Sequence, residues 1–186
     1  MEPVIPYNSQ PRRQDRAISD QDWMIDLLQR TPFGVLAIAP DGQPYAHPIL
    51  FAHHAVESAI YLHSANQGRT ISEANSGAEA CFTVAEMGRL LPAPRSRGFS
   101  VEYASVVIFG RLEVLTTVAG QLHGLRLLMA KYAPHLKPGH DYAVLGEDEL
   151  AGVVVYRLVI AAWSGKRKQA PPDFPGAYKF ADSSNA

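Results

Sequence analysis

The stretch Leu-His-Ser-Ala-Asn-Gln-Gly-Arg-Thr, residues 62–70, gathers side chains suited to holding an anion. An apolar run ends there in small and polar residues, with an arginine directly before a segment of helical pattern. His63 and Ser64 offer side-chain hydrogen bonds, the amides of residues 67–70 are free at a helix start, and Arg69 can fork onto a phosphate. The same pattern also suits a capped strand-to-helix turn with a solvent-facing arginine, and composition alone does not separate the two. His53 and His54 are neighbours and point apart in an extended chain; with no third ligand evident nearby, no metal site is expected. Cys81 has nothing beside it in sequence to lower its pKa, so it reads as a small buried residue rather than a nucleophile. Lys166, Arg167 and Lys168 follow Trp163 closely and have the form of a solvated basic patch that an anionic cofactor could meet. Arg89, Arg95 and Arg97 form a looser cluster for which solvation is the default.

These residues sit on elements that the sequence pattern outlines. Residues 1–16 hold three prolines and three arginines without apolar periodicity, and read as an arm. Ser19 can cap a helix with Asp20 and Asp22 in its first turn; Trp23, Met24, Leu27 and Leu28 share one face, and Thr31-Pro32 ends it. Residues 34–39 are a short apolar run, Asp41-Gly42 is a hairpin signal, and residues 44–51 alternate, which predicts two antiparallel strands. A turn over 53–58 leads to a strand over 59–63. A short helix fits 67–75, with Gly77 as its C-terminal cap. A strand over 80–85, a loop over 87–98 and a long extended segment over 99–115 follow, the last with Gly110 placed like a bulge. Val118, Leu122, Leu125, Met129 and Tyr132 repeat at helical spacing, so 118–133 reads as a long helix stopped by Pro134. Residues 152–162 form the last strand, and 169–186 a tail.

The expected architecture is therefore mainly β: a small antiparallel barrel with an N-terminal helix, a short helix after the third strand and one long helix before the last strand. No βαβ alternation, G-x-G-x-x-G or Walker sequence supports a doubly wound nucleotide fold.

The ordered set RRQDRAIS, FGVLAIAPDGQPYAHPILF, AIYLHSANQGRTISEA, CFTVAEMGRLLP, VEYASVVIFGRLEVL and WSGKRKQ resembles the pyridoxamine-5′-phosphate-oxidase-like flavoproteins over residues 12–168. It looks most like their nitroimidazole-resistance branch. The resemblance implies a split β-barrel over residues 17–168, forming a homodimer with FMN at the subunit interface. It implies a phosphate held by Ser64, Arg69 and Thr70, and a flavin ring lying along His47, Pro48, Ile49 and Leu50. It adds Ser105, Trp163 and Lys166 to the cofactor set, the last two commonly reaching the partner's flavin. His63 matches a histidine that stands beside the flavin in that branch, with a part in cofactor or substrate chemistry. Thr70 stands where the oxidases carry a lysine, and KRKQAPPDF does not reproduce their pyridoxal-phosphate-gripping end. Both departures point away from pyridoxamine-phosphate oxidation. The activity the resemblance implies is that of an FMN-dependent reductase of small electrophiles such as nitroaromatics. A flavin-binding or redox-sensing module without turnover uses the same residues. Haem ligation by His63 or another histidine is a third reading.

Composition narrows the classes. The 186 residues fit one domain. With 47% hydrophobic and 19% charged residues, and 17 basic against 18 acidic side chains, neither a disordered chain nor a polybasic nucleic-acid arm is the main design. No apolar run reaches the roughly eighteen residues of a bilayer span, and the N-terminus lacks the basic-then-apolar pattern of a signal peptide. A cytoplasmic protein acting on a small molecule, with neither nucleic acid nor membrane as partner, is the expectation. A single cysteine excludes an internal disulfide and a cysteine-built metal centre.

Overall fold

The computed structural model describes residues 7–39, 42–66 and 77–185. Eight strands form one antiparallel sheet: β1 (Ala17–Ile18), β2 (Gly34–Ile38), β3 (Tyr45–Ile49), β4 (Phe51–His54), β5 (Ala59–Ala65), β6 (Glu79–Leu91), β7 (Ser100–Val114) and β8 (Val153–Lys168). Their spatial order is β3-β2-β6-β7-β8-β5-β4, with β1 added to the far end of β8. Among the described residues the two α-helices are α1 (Gln21–Arg30) and α2 (Val118–Tyr132). The mainly β antiparallel architecture, the N-terminal helix and the long helix before the last strand are as expected. The short helix over 67–75, like Asp41 of the first hairpin turn, lies outside the described residues.

The sheet curls because its two edge strands, β3 and β4, are consecutive in the chain and separated only by Leu50. That corner closes the barrel by a covalent link rather than a ladder. Tyr132 of α2 holds the seam: its hydroxyl accepts from the Phe51 amide at 3.0 Å and lies 2.8 Å from the Pro32 carbonyl, to which it can donate.

Inside the barrel, alternate residues of the strands form the core: Leu36 and Ile38 of β2, Phe82 and Val84 of β6, Val106 and Ile108 of β7, Tyr156 and Leu158 of β8, Ile60 and Leu62 of β5. Helix α1 adds Met24, Leu27 and Leu28 to that core. Its first turn is capped by Asp20, which accepts from the Trp23 amide, so the cap stands one residue later than Ser19. At its other end the Thr31 hydroxyl donates to the Leu27 carbonyl, 2.6 Å.

The outer side of the sheet is divided. Helix α2 covers β4, β5 and the first half of β8, and it comes so close at Gly124 that a Cβ there would lie 2.6 Å from Val155 and 2.9 Å from Tyr61. The boundary of the covered part is a bulge, where Phe109 pairs with Ala162 and Gly110 with Ile160, leaving Ala161 extra. Gly110 does sit at a bulge, and a Cβ on it would meet the Val159 carbonyl oxygen at 1.9 Å.

Several boundaries differ from the sequence reading. His53 and His54 belong to β4 rather than to a turn, because they pair with Ile60 and Ala59. Residues 87–91 continue β6 past an irregularity between Met87 and Leu90, which shortens the expected loop. The last strand runs on through Lys168, since β1 and β7 supply it with partners. The tail is ordered by pairing with β6: the Leu90 amide donates to the Tyr178 carbonyl at 2.7 Å.

Candidate functional site

Two groups of the expected site residues emerge, one at the β3–β5 corner and one on the bare outer face of β7 and β8. In the first, β3 brings His47, Pro48 and Ile49 along an edge of the sheet to the Leu50 corner. A proline is tolerated there because an edge strand can dispense with one amide. The pairing of Phe51 with Leu62 sets Leu50 at the level of His63, so the corner and the end of β5 meet. Alternation points His47 and Ile49 towards the inner side, where His47 pairs with Leu36, and Pro48 towards the outer side. The His47 Nδ1 atom is buried without a hydrogen-bond partner among the described residues. Ser64 is hydrogen bonded to the Tyr156 hydroxyl at 2.8 Å, which orients it at the strand end. His63 is half-buried opposite Val155, and desolvation lowers its pKa, favouring the neutral imidazole. Arg69 and Thr70, the expected phosphate contacts, lie outside the described residues.

The second group lies on the bare outer face. Ser105 of β7 and Lys166 of β8 are direct cross-strand partners. Lys166 makes no ion pair among the described residues. Around them the same face presents Val35 and Ala37 of β2, Cys81, Thr83 and Ala85 of β6, and Val107 of β7. Cys81 is half-buried and its thiol pKa is raised by desolvation, in keeping with an unreactive strand residue. Trp163, three positions before Lys166 in the strand, faces the other way. It packs against the core and places its ring 6.0 Å from that of His53.

Lys166 stands eleven residue steps along β8 from Val155, the partner of His63, which is about 35 Å of strand contour. The β3 residues are nearer to it across the sheet: Pro48 pairs with Val35, Val35 with Thr83, Thr83 with Val107 and Val107 with Ser164, so Pro48 shares the outer face of Ser105 and Lys166 in the neighbouring outward row.

The sequence expectation that His53 and His54 form no site missed two tertiary surroundings, the cavity beside His53 and the approach of His123 to His54. His53, with Trp163, Gln21, Ile25, Ala55 and Ser58, lines a cavity of about 240 Å³ between α1 and β8, and burial there lowers the histidine's pKa. On the covered side, His54 meets Glu57 and His123. Only Glu57 was near enough in sequence to be noticed; His123 arrives through the packing of α2. Arg89, expected to be solvated, instead grips Glu102 through both guanidinium arms at 2.8 and 2.9 Å and donates to the carbonyls of Pro171 and Pro172.

Comparison with known proteins agrees with this fold. Residues 20–167 match the pyridoxamine 5′-phosphate oxidase family, and the chain belongs to it. No curated protein matches the chain. Among solved structures, the flavocytochrome Anf3 of Azotobacter vinelandii superposes with a TM-score of 0.73 at 24% identity, covering 94% of this chain and 78% of its own. An FAD and haem binding protein of Mycobacterium smegmatis gives 0.75 at 23% identity, over 91% and 80%. A 5-nitroimidazole antibiotic resistance candidate from Bacteroides thetaiotaomicron gives 0.67 at 19%, over 81% and 86%. These likenesses establish the split-barrel fold. The nitroimidazole-resistance candidate is the weaker match of the three. No helix among the described residues is long and apolar enough to cross a membrane.

Proposed function

We propose that this chain is a flavin-binding oxidoreductase that works as a homodimer, with each flavin held between the β3–β5 end of one subunit and the Ser105–Lys166 face of the other. The observation that carries this reading is that His63 and Lys166 stand eleven residue steps apart along β8, while α2 covers the part of the sheet near His63 and leaves the face bearing Ser105 and Lys166 bare. The residues suit the cofactor. Lys166 has no ion pair among the described residues and lies beside a hydroxyl on a face of small side chains, while His47 keeps a buried, unbonded ring nitrogen at the other group. Membership of a family that includes flavoproteins supports it, as do two similar structures whose names carry a flavin.

When bound, a flavin supplies the electron transfer. This chain's residues then orient and shield. Pro48 and its neighbours line the edge of β3, Lys166 offers a positive charge, and neutral His63 presents one ring N–H and one acceptor nitrogen to a small electrophile such as a nitroaromatic. The form expected from the sequence is FMN, whereas FAD is the form named for two similar structures.

Absorption spectroscopy of the purified full chain, with mass analysis of the released cofactor, tests the proposal. About one flavin per chain in a sedimenting dimer is expected. A colourless monomer that takes up neither FMN nor FAD overturns it. Anaerobic reduction by NADH or NADPH followed by a nitroimidazole separates turnover from mere binding: reduced flavin that is not reoxidised marks a carrier or sensor. A Soret band would signal haem instead.

A further inference from the structure

We infer that His54, Glu57 and His123 form a binding site for a divalent transition-metal cation of the zinc class, clasping α2 to the β4–β5 hairpin. The inference is independent of the flavin reading, because this cluster lies at the rim of the contact between α2 and the β4–β5 hairpin, with His54 and His123 partly exposed and Glu57 exposed.

The three side chains come from three places: the end of β4, the turn after it, and the second turn of α2. One donor atom from each lies within 4.8 Å of the others. His54 Nδ1 is 3.1 Å and His123 Nε2 is 3.5 Å from the same carboxylate oxygen, Glu57 Oε2. A tetrahedral ion with bonds of about 2.0–2.1 Å sets its donors about 3.4 Å apart, so these spacings are those of a site ready to receive one. Both nitrogens are buried and neither makes an aligned hydrogen bond. Their polar neighbour is the one Glu57 carboxylate on which both converge.

The surroundings hold this arrangement. The His123 ring stands edge-on to those of His54 and Tyr61, with both centroid distances 5.3 Å. The Tyr61 hydroxyl donates to Glu57 Oε2, fixing the carboxylate. This is the kind of supporting contact that orients a metal ligand. Gly124, next to His123, lets the helix backbone approach Val155 and Tyr61 closely enough for the imidazole to reach the hairpin. Arg157, the nearby cation of β8, is paired with Glu113 at 2.8 Å and so is partly neutralised. Two imidazoles and one carboxylate select a borderline metal over calcium or magnesium, and three protein ligands leave a fourth position for solvent.

The test uses the full chain, stripped with a chelator and dialysed against Zn²⁺ alone. One ion per chain is expected, with X-ray absorption showing a nitrogen and oxygen shell near 2.0–2.1 Å that includes imidazole scattering. His123→Gln and Glu57→Gln should each weaken binding at least about tenfold, while His140→Gln at an exposed histidine should leave it unchanged. Zinc should raise the melting temperature of the wild type but not of His123→Gln. Absence of stoichiometric zinc, or binding that survives all ligand substitutions, overturns the inference. If a variant does not fold, the wild-type absorption spectrum and stoichiometry decide alone, and a shell lacking imidazole counts against the site.

Discussion

Both halves of the barrel's outer face are built on the same long strands, yet they end differently. On β4, β5 and the start of β8, the chain lays its own helix over the sheet, and Val155 and Tyr61 are almost wholly buried. On β2, β6, β7 and the end of β8, side chains of similar character stay partly exposed, and Met87 remains 57% accessible. The bulge at Gly110 and Ala161 separates the two. An apolar surface that one copy covers with its own helix stabilises the monomer, whereas an uncovered one suits a second copy, since exposed apolar patches mark interaction surfaces.

The sharpest way to break this contrast is to place the same charge on both halves. Val155→Asp buries an unpaired carboxylate under α2 and should cost about 4 kcal/mol or more, read as loss of cooperative unfolding. Val107→Asp, on the bare face, should leave the monomer folded and abolish dimerisation and flavin retention. Equal destabilisation by both in denaturant melts would remove the distinction between the halves.

A smaller effect is expected where the covered half joins α1. Lys131 of α2 donates to the carbonyls of Leu28 and Thr31, 2.9 Å each, with its ammonium 3.4 Å from the Phe51 ring centre. Lys131→Met leaves those carbonyls without that donor and should cost about 1–3 kcal/mol near neutral pH. Burial lowers the lysine pKa to about 8 from 10.5. The folded chain then holds fewer protons than the unfolded one between those values, so this residue's contribution to stability rises with pH across that window. The wild type should gain on Lys131→Met between pH 8 and 10; a gap that stays constant or narrows contradicts the assignment.

The smallest effect belongs to the tail anchored beside the bare half. Hydrogen bonding by Arg89 and by the Ala170 amide holds the Glu102 carboxyl at about 2, below its usual 4.5. The anchor is fully present above pH 4.5 and is lost as pH falls through about 2. Hydrogen exchange should show the 169–185 amides losing protection over that interval, and Arg89→Ala should produce the same loss at neutral pH. Tail protection that persists in the variant would mean that the Leu90–Tyr178 pairing suffices.

Much of the strand order along the chain was legible because alternation, turn residues and helical spacing are local signals. Gly110 could be read as a bulge because only a strand that must approach a backbone tolerates its lack of a side chain. His63 and Ser64 stood out at a strand end for similar reasons. The extension of β6 and β8, by contrast, depends on partners far away in sequence, and no local pattern announces them. Trp163 and Lys166 look like one group when read in order, yet strand geometry sends them to opposite sides.

By itself, then, the sequence determined the alternation that builds a mainly β barrel, the capped helices and the family to which the chain belongs. It did so because propensities, turn chemistry and ordered motifs act between near neighbours. Only the tertiary structure decided which half of the outer face α2 covers, that Trp163 and Lys166 face opposite ways, and that His123 joins His54 and Glu57. Those outcomes rest on contacts between residues tens of positions apart, where close helix-to-sheet packing at Gly124 and the Gly110 bulge set the geometry.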